Sequence, residues 1–307
     1  MSRTADILKK YDFRYKKELG QNFVTDINLL SAIVADSNAA DEAVVEIGAG
    51  AGTLTAALAK AARRVCAFEV DYSLKPVLEE TLSCLDNVEV IFKDVLKMSD
   101  NELLSLINGQ RQGTAIENQE NDTSLSVRPD AENLPFIVVA NLPYYITSPL
   151  IMRFLESGLN IKSMTVMVQK EVAERICAAP GSKAYSAFTL AVQYYGRAVI
   201  TRTVSRKLFY PMPDVDSAIV RIDVDRNRYG LEQPELFLKL IHAAFAMRRK
   251  TLINNLGSVI GINKNELERM LEDVGLDKNI RGEALNMYEY LKIYERIINK
   301  NPLQKAL

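Results

Sequence analysis

Histidine is nearly absent from this chain of 307 residues, because His242 is the only one. One imidazole excludes metal sites built from several histidines and acid–base mechanisms that need a pair of them. Cysteine is also scarce, with Cys66, Cys84 and Cys177 and no CxxC spacing. Three such thiols do not form a disulfide framework, so we expect a reduced, cytoplasmic protein that binds no metal.

Long apolar runs are missing as well. No stretch reaches the length of a membrane span, and the first 20 residues lack the continuous apolar segment of a signal peptide. Neither sign of charge is in excess, since 38 basic and 39 acidic residues give a formal net charge of −1. This balance excludes a uniformly basic surface, although a local basic patch is enough to bind nucleic acid. We therefore expect no membrane partner.

Strand-like and helix-like segments alternate through the first two-thirds of the chain. Strand patterns occupy residues 44–47, 64–70, 88–92, 136–140 and 163–169, and a pair of strands follows at 198–204 and 218–224. Helical patterns lie between them at residues 53–62, 74–82 and 149–155. This alternation predicts an α/β fold, a Rossmann-like sheet with helices on both faces.

Two parts of the chain depart from this alternation. Residues 108–133 are polar and have no apolar period, which predicts a mobile surface insertion, with a binding role as the alternative. After residue 225 helical periods take over at residues 236–247, 250–256, 264–274 and 287–298. We therefore expect a sheet domain over residues 1–225 and a small all-helical domain over residues 226–307.

A glycine-rich turn joins the first predicted strand to a helix. In the sequence EIGAGAGTLT, Gly48 and Gly50 permit a tight turn and a close approach of the backbone to a ligand. Thr53 stands where the dinucleotide fingerprint GxGxxG has its last glycine, and no GK[ST] follows. The turn is therefore neither a typical dinucleotide site nor a P-loop.

Acidic residues end the next two predicted strands. Glu69 lies about 20 positions after the glycines, where a carboxylate accepts hydrogen bonds from ribose hydroxyls, and Asp94 is placed to hold an adenine amino group. The alternatives for these positions are a plain tight turn, a solvated carboxylate and a helix N-cap. Because all three strand ends meet at one edge of the sheet, their joint occurrence favours a cofactor site.

The sequence Asn141-Leu142-Pro143-Tyr144 follows the strand predicted at residues 136–140. The Asn141 side-chain oxygen and the Leu142 carbonyl can both accept hydrogen bonds from an amino group, and proline holds the backbone in place. Tyr144 offers a flat face on which a base can stack. These features suggest methyl transfer to the amino group of an adenine that has left its stack. Phe209, ahead of the sequence Pro-Met-Pro, is a second candidate clamp, with a packed core aromatic as the alternative.

Basic side chains that fit an RNA backbone occur at two places. Arg248, Arg249 and Lys250 are predicted to open a helix of the second domain and to contact phosphates, with a solvated face as the alternative. Lys170 and Arg175 lie on a predicted helix just after a strand end, where RNA could also pass.

These motifs together resemble the ribosomal RNA adenine N6-dimethyltransferase family, in its branch of small-subunit dimethyladenosine transferases. The likeness covers about residues 19–290, in the stretches LGQNF, EIGAGAGTLT, FEVD, KDVL, ANLPYYITSPLI, QKEVAERI, GSKAYSAF, FYPMPDVDS and FAMRRKTLINNL. Two departures stand out: Ala49 replaces a proline found in many members, which should alter loop stiffness, and the insertion at residues 108–133 is longer than expected.

The resemblance implies S-adenosylmethionine as methyl donor. The residues that it places around this donor are Asn22, Val24, Gly48, Glu69, Asp94 and Asn141. It also implies N6,N6-dimethylation of two adjacent adenosines in a hairpin near the 3′ end of 16S ribosomal RNA. The expected partner is this RNA within an assembling 30S particle, bound by a monomer whose helical domain recognises RNA.

Three other functions compete with this one. Relatives that methylate large-subunit RNA and confer antibiotic resistance tend to be strongly basic, so the near-neutral charge and the sequence FAMRRKTLINNL favour the small-subunit enzyme. A non-catalytic ribosome assembly factor would not need the intact cofactor positions and the sequence NLPY. A nicotinamide oxidoreductase is disfavoured by the glycine spacing.

Overall fold

A computed structural model describes residues 3–16, 20–24, 26–109, 115–116, 133–143, 146–257 and 261–300. Among these residues, one compact unit consists of those within Met1–Ala173 and Val199–Val224, and a second of those within Glu174–Ala198 and Asp225–Leu307. The chain enters the second unit after Val224, next to the expected boundary at residue 225. The second unit also includes Glu174–Ala198, which the sequence had assigned to the sheet domain.

Helices and strands follow each other along the described residues. In chain order the helices are α1 (Arg3–Lys10), α2 (Ile27–Ser37), α3 (Thr53–Ala59), α4 (Lys75–Leu82), α5 (Asp100–Ile107), α6 (Thr147–Leu155), α7 (Lys170–Ile176), α8 (Ala187–Tyr195), α9 (Pro234–Ala244), α10 (Leu252–Leu256), α11 (Lys264–Asp273) and α12 (Met287–Lys300). The strands are β1 (Phe23–Val24), β2 (Ala43–Ile47), β3 (Arg64–Phe68), β4 (Val88–Ile91), β5 (Ala115–Ile116), β6 (Phe136–Asn141), β7 (Ile161–Gln169), β8 (Gly196–Val204), β9 (Phe209–Tyr210) and β10 (Ser217–Val224). No described helix has the length and apolar character needed to cross a membrane.

The first unit is built on a mixed sheet with the strand order β5-β4-β3-β2-β6-β7-β10-β8. The strands from β5 to β7 run parallel, and β10 pairs antiparallel with β7. Helices cover both faces, which confirms the predicted α/β fold. The strand order reverses direction at β2, whose two neighbours are β3 and β6, and such a reversal leaves a crevice at the carboxyl ends of the strands.

The central strands are buried on both faces, as expected for parallel strands covered by helices. Side chains from β3, β4 and β6 meet those of α3 and α4 in one apolar core, which includes Val65, Val90, Val139, Leu58 and Leu78. Mostly apolar runs therefore form these strands, and the predicted strands agree with the observed ones to within two residues at either end.

The predicted insertion contributes one short strand. Ala115–Ile116 pairs parallel with β4, opposite Glu89 and Val90. The prediction of an irregular segment is therefore wrong for these two residues. Most of residues 108–133 lies outside the described part of the chain.

The second unit is helical apart from the first residues of β8. Its core contains several aromatic side chains, and two of the buried tyrosines donate hydrogen bonds to backbone carbonyls. Tyr185 donates from its hydroxyl to the Leu285 carbonyl at 2.8 Å, and Tyr290 donates to the Gly282 carbonyl at 2.9 Å. A buried phenol needs such an acceptor, so these contacts hold the connection before α12 against the helices.

Candidate active site

A cavity of about 510 Å³ opens at the carboxyl ends of β2, β3, β4 and β6. All the residues predicted to bind a cofactor border it, and so do three of the four predicted to act on the base. The set is Asn22, Val24, Gly48, Gly50, Glu69, Asp94, Asn141, Leu142 and Phe209. Tyr144 lies outside the described residues. The motifs that carry these residues are far apart in the sequence, and they meet around one cavity.

The glycine loop after β2 depends on the absence of side chains. Gly48 and Gly50 have φ angles of +81° and +57°. A Cβ on Gly50 would lie 2.9 Å from Cε1 of Phe23, so this position holds only a glycine without displacement of the ring. The N–H groups of Gly48 and Ala49 both donate to the Phe68 carbonyl, at 2.8 and 3.0 Å. Proline has no N–H, so Ala49 changes the hydrogen bonding of the loop as well as its stiffness.

Glu69 ties the end of β3 to the glycine loop. Its carboxylate accepts hydrogen bonds from the backbone N–H of Gly50 at 2.8 Å and from those of Val70 and Asp71 at 2.8 and 2.9 Å. Burial raises the pKa of Glu69, and the three backbone hydrogen bonds oppose that shift. With only 7% of its surface exposed, Glu69 is not the solvated carboxylate of the alternative interpretation.

Asp94 serves as a cap and as a cavity wall at once. Its side chain accepts a hydrogen bond from the Leu96 N–H at 3.1 Å and begins the 3-10 helix Val95–Lys97. The N-cap alternative is therefore correct, and it is compatible with a binding role because the other carboxylate oxygen is not used by the cap. That second oxygen lies 3.5 Å from the Lys97 ammonium.

Asn141 is the last residue of β6, and its amide is held in one orientation. The Nδ2 group donates to the Asn22 carbonyl at 2.9 Å. Next in sequence, the Leu142 N–H donates to the Met167 carbonyl at 3.1 Å. Because the amide nitrogen is engaged, Oδ1 remains to accept a hydrogen bond from a ligand within the described part of the site.

A two-stranded ladder that the sequence did not predict closes one side of the cavity. β1 and β9 run antiparallel, with Phe23 opposite Tyr210 and Val24 opposite Phe209. This pairing explains how Asn22 and Val24 reach the cavity. It also buries Phe209 to 5% exposure, so the ring is both a core residue and part of the cavity wall. Strands of two residues show no period, and only the family motifs point to them.

Asp71 is a second feature that sequence reasoning missed. Its buried carboxylate accepts hydrogen bonds from the Lys16 ammonium at 2.6 Å and from the Gln21 side chain at 2.7 Å. Burial alone would raise the pKa of Asp71, but the hydrogen bonds from Lys16, Ser73 and Gln21 outweigh it and lower the pKa. Asp71 thereby anchors the segment before β1 to the end of β3. The only sequence signal for it is its place in the motif FEVD.

Glu46 was not predicted as a site residue either. It lies on β2, is fully buried and lines the cavity. Neither of its carboxyl oxygens has a hydrogen-bond partner among the described residues. Burial raises the pKa of Glu46 to about 8. The available signal was an acidic residue inside an apolar strand.

The predicted RNA-binding residues lie on helices and turns. Lys170 is exposed and begins α7. The Arg175 guanidinium lies 5.1 Å from the centre of the Phe188 ring, inside the second unit. Neither residue is among the described residues that line the cavity.

The basic cluster Arg248–Lys250 does not open a helix, so that prediction is wrong. It forms an exposed turn between α9 and α10, and α10 begins only at Leu252. Arg248 donates to the Lys183 carbonyl at 3.0 Å and lies 3.5 Å from the Glu283 carboxylate. The buried Asn255 side chain donates to the carbonyls of Ala244 and Met247 and so shapes the turn.

Across the described residues, no group of three or more His, Cys, Asp and Glu side chains is placed to hold a metal ion. Amides, backbone N–H groups and carboxylates at four strand ends border the cavity, together with Thr53, Lys93 and Lys97. An arrangement of this kind at the reversal point of a parallel sheet is typical of α/β proteins that bind nucleoside-containing ligands.

Comparison with known proteins identifies the family. The family described as ribosomal RNA adenine dimethylase matches residues 12–299, and the chain therefore belongs to that family. Ribosomal RNA small subunit methyltransferase A of Bacillus pumilus is 42% identical over 310 residues, covering 99% of this chain and 97% of the relative. The protein of the same name from Geobacillus thermodenitrificans is 43% identical over 296 residues, covering 95% and 94%.

Solved structures show the same fold. A dimethyladenosine transferase from Plasmodium falciparum has a TM-score of 0.71 at 24% identity, covering 91% of this chain and 98% of that chain. The 23S rRNA methyltransferase ErmE has a TM-score of 0.66 at 24% identity, covering 90% and 99%. At such identities the two structures support the architecture and do not distinguish between RNA substrates.

Proposed function

We propose that this protein transfers methyl groups from S-adenosylmethionine to N6 of two adjacent adenosines near the 3′ end of 16S ribosomal RNA. The observation that carries the proposal is Asn141, which ends β6 beside the glycine loop with its amide nitrogen engaged and its oxygen available. Relatives named ribosomal RNA small subunit methyltransferase A, about 40% identical over nearly the whole chain, support the choice of RNA.

The residues around the cavity fit an adenosine-bearing cation. Glu69 presents a carboxylate for ribose hydroxyls, and Asp94 presents an oxygen for the adenine amino group. A volume of about 510 Å³ is suitable for a ligand of this size. When bound, S-adenosylmethionine would supply a methyl group on a positively charged sulfur. Gly48 and Gly50 allow the backbone to approach it closely.

Asn141 and Leu142 prepare the amino group of the target base. The lone pair of adenine N6 is delocalised into the ring, which makes the amine a poor nucleophile. If the Asn141 Oδ1 and the Leu142 carbonyl accept its two hydrogens, the lone pair is free to turn toward the methyl group. No strong base is required, because the amine loses its proton readily once methylated. Catalysis is then mainly a matter of position and electrostatics.

The target base would leave its stack to enter the site. Phe209 in the cavity wall, together with Tyr144, is the proposed clamp for the extruded base. The proposed partner is the small-subunit RNA within an assembling 30S particle, and the protein would act as a monomer in the cytoplasm, where bacterial ribosomes assemble. The helical second unit would hold the RNA.

The function is tested by mass spectrometry of ribosomal RNA. Ribosomal particles from a strain that lacks the endogenous enzyme are incubated with the purified protein and S-adenosylmethionine, and the RNA is digested to nucleosides. We expect N6,N6-dimethyladenosine in small-subunit RNA and none in large-subunit RNA. Methyl groups found in large-subunit RNA would favour the resistance enzyme, and binding without methyl transfer would favour an assembly factor.

Replacing Gly50 by alanine should weaken S-adenosylmethionine binding about tenfold. The added methyl group would displace Phe23 or the glycine loop, and the ligand would lose one contact with the protein. The matched control is Gly181→Ala. Gly181 also has a positive φ of +77°, but no atom lies within 4 Å of its added Cβ. Both variants should lose about 1 kcal/mol of stability from the backbone conformation. Only the Gly50 variant should lose affinity in a calorimetric titration. Equal affinities would show that the loop tolerates the side chain.

Replacing Arg249 and Lys250 together by alanine should weaken binding to the ribosomal substrate and reduce the slope of log affinity against log salt by about two units. Arg248 is left in place because Glu283 and a carbonyl already occupy its guanidinium. The charge-matched control removes Lys264 and Arg269, which are exposed on α11. Binding is measured at several salt concentrations. Equal changes in slope for the two double variants would indicate an effect of net charge and no specific contact.

A further inference from the structure

Glu46 is an acid without a partner in the wall of the cavity. It is fully buried on β2, and both carboxyl oxygens lack a hydrogen-bond partner among the described residues. Buried polar groups are nearly always hydrogen-bonded, and a buried charge without a partner is strongly unfavourable. A carboxyl in this position keeps its proton until a positive charge comes close.

Within the described part of the chain, the groups that shift the pKa of Glu46 do not supply such a charge. Lys93 and Lys97 border the same cavity but are not among these groups. Its neighbours across the sheet are Ala67 on β3 and Val139 on β6. From α3, the Thr55 hydroxyl is close enough to oppose the rise in the pKa of Glu46, although the two groups do not meet in hydrogen-bond geometry and neither has another partner among the described residues. The ionisable group that acts on Glu46 is Glu69, which carries charge of the same sign. Burial raises the pKa of Glu46 to about 8, the charge of Glu69 adds to the shift, and the Thr55 hydroxyl opposes it.

We propose that Glu46 couples cofactor loading to the release of a proton: its carboxyl is protonated in the cofactor-free protein and ionises when a cationic methyl donor enters the cavity. This inference rests on the proposed use of S-adenosylmethionine. The O–H bond of the carboxyl breaks, its electron pair stays on the oxygen, and the proton passes to the solvent. The carboxylate that remains balances the positive charge that has entered.

The same group distinguishes the donor from the spent product. S-adenosylhomocysteine carries one positive charge less than S-adenosylmethionine, because its sulfur is neutral. Without that charge the buried carboxylate is again unfavourable, and Glu46 takes up a proton. Glu46 therefore favours retention of the donor over the product, and more strongly as the pH rises through the neutral range.

Proton release is measured directly by titration calorimetry. S-adenosylmethionine is added to the protein at pH 7 in two buffers that differ in ionisation enthalpy, and the difference in heat gives the number of protons exchanged. A group with a pKa of about 8 is about nine-tenths protonated at pH 7. We expect the wild type to release most of one proton more than Glu46→Gln does. With S-adenosylhomocysteine the wild type should release less than half as much.

Donor affinity should follow the same linkage. Binding that favours the ionised carboxyl strengthens as the pH rises toward 8 and levels off above it, by up to tenfold per pH unit. This slope should disappear in Glu46→Gln. A second variant, Thr55→Val, removes the hydroxyl that opposes the shift and leaves every ionisable group in place. Without this hydroxyl the pKa of Glu46 should be higher, so the variant should release more protons than the wild type when it binds the donor at pH 8.

A measurement without any cofactor separates this inference from the proposed function. A carboxyl whose pKa is raised in the folded state stabilises the fold fully below its unfolded pKa of about 4.5, and that stabilisation is lost as the pH rises through about 8. The unfolding free energy of Glu46→Gln should therefore rise relative to that of the wild type between pH 5 and pH 8.

Two results would overturn this inference and leave the proposed function intact. One is a difference in unfolding free energy between the two proteins that does not change with pH, and the other is equal proton release by both proteins on donor binding. Failure of the wild type to bind the donor would overturn the proposed function with it.

Discussion

Replacing Asn141 by alanine is expected to lower the rate of methyl transfer roughly 10²- to 10³-fold, the effect of losing a well-placed hydrogen-bond partner in other enzyme sites. The Asn141 oxygen is the proposed acceptor for one hydrogen of the adenine amine. Alanine offers no acceptor, so the lone pair of the amine stays in the ring. The rate is measured in a single turnover with donor and RNA at saturation, which separates chemistry from binding. A wild-type rate would exclude Asn141 from the reaction.

The structure sharpens this experiment, because the Asn141 side chain also has a positioning contact. Its Nδ2 group donates to the Asn22 carbonyl at 2.9 Å, beside the cofactor-binding residues. Alanine removes this bond too, so donor affinity should fall by a few-fold at most, within the net value of one neutral hydrogen bond. A second variant, Asn141→Asp, keeps an oxygen acceptor of the same size, but it loses the donor to Asn22 and adds a negative charge. Because an acceptor for the amine remains, we expect a smaller loss of rate at saturation than for alanine.

Replacing Glu69 by alanine should weaken S-adenosylmethionine binding roughly 10- to 100-fold, because hydrogen bonds to a charged group contribute about 1.5–3 kcal/mol. The carboxylate accepts three backbone N–H bonds, one of them from Gly50 in the glycine loop. Each carboxylate oxygen has two lone pairs, so capacity remains for a ribose hydroxyl. The affinity is measured by calorimetric titration. An unchanged value would exclude Glu69 from the site.

A control separates a lost carboxylate in the cavity from general damage to the sheet. Glu89 is a buried acid on the neighbouring strand β4, is paired with Arg64 and is absent from the cavity lining among the described residues. Glu89→Gln should lower stability, since the Arg64 charge loses its partner, but it should leave donor affinity unchanged.

A second comparison shows whether Glu69 acts on ribose or only on the loop. The 2′-deoxy analogue of the donor removes one hydroxyl from the ligand. If Glu69 accepts a hydrogen bond from that hydroxyl, the analogue should bind the wild type more weakly than the donor, and the two ligands should bind Glu69→Ala almost equally. If the analogue binds more weakly than the donor by the same factor in both proteins, Glu69 acts by holding the Gly50 N–H and does not contact that hydroxyl.

Motifs that are far apart in sequence were correctly placed together because a parallel sheet has simple rules. Gly48, Glu69 and Asp94 follow strands with a strong apolar pattern, and Asn141 is the last residue of another. The carboxyl ends of parallel strands lie at one edge of the sheet, so residues at those ends meet whatever their spacing along the chain. The cavity is bordered by all four, as this rule predicts.

The basic cluster shows where local pattern fails. The helical patterns predicted at residues 236–247 and 250–256 reach into this turn, yet α9 ends at Ala244 and α10 begins only at Leu252. The buried side chain of Asn255 donates hydrogen bonds to the carbonyls of Ala244 and Met247, which in a longer helix would accept hydrogen bonds from the helix backbone. A competing tertiary hydrogen bond of this kind is invisible to helix propensity.

Periodicity and motif spacing were enough to predict the fold class, the family and the four strand-end groups of the candidate site, because both are local properties of the chain. The completion of the site depends on contacts between distant segments, which no local pattern contains. The β1–β9 ladder, the anchoring of Lys16 and Gln21 by Asp71 and the isolation of Glu46 all depend on which distant segments approach each other. Burial and pairing set the charge of an acid, and neither is encoded in the residues adjacent to it.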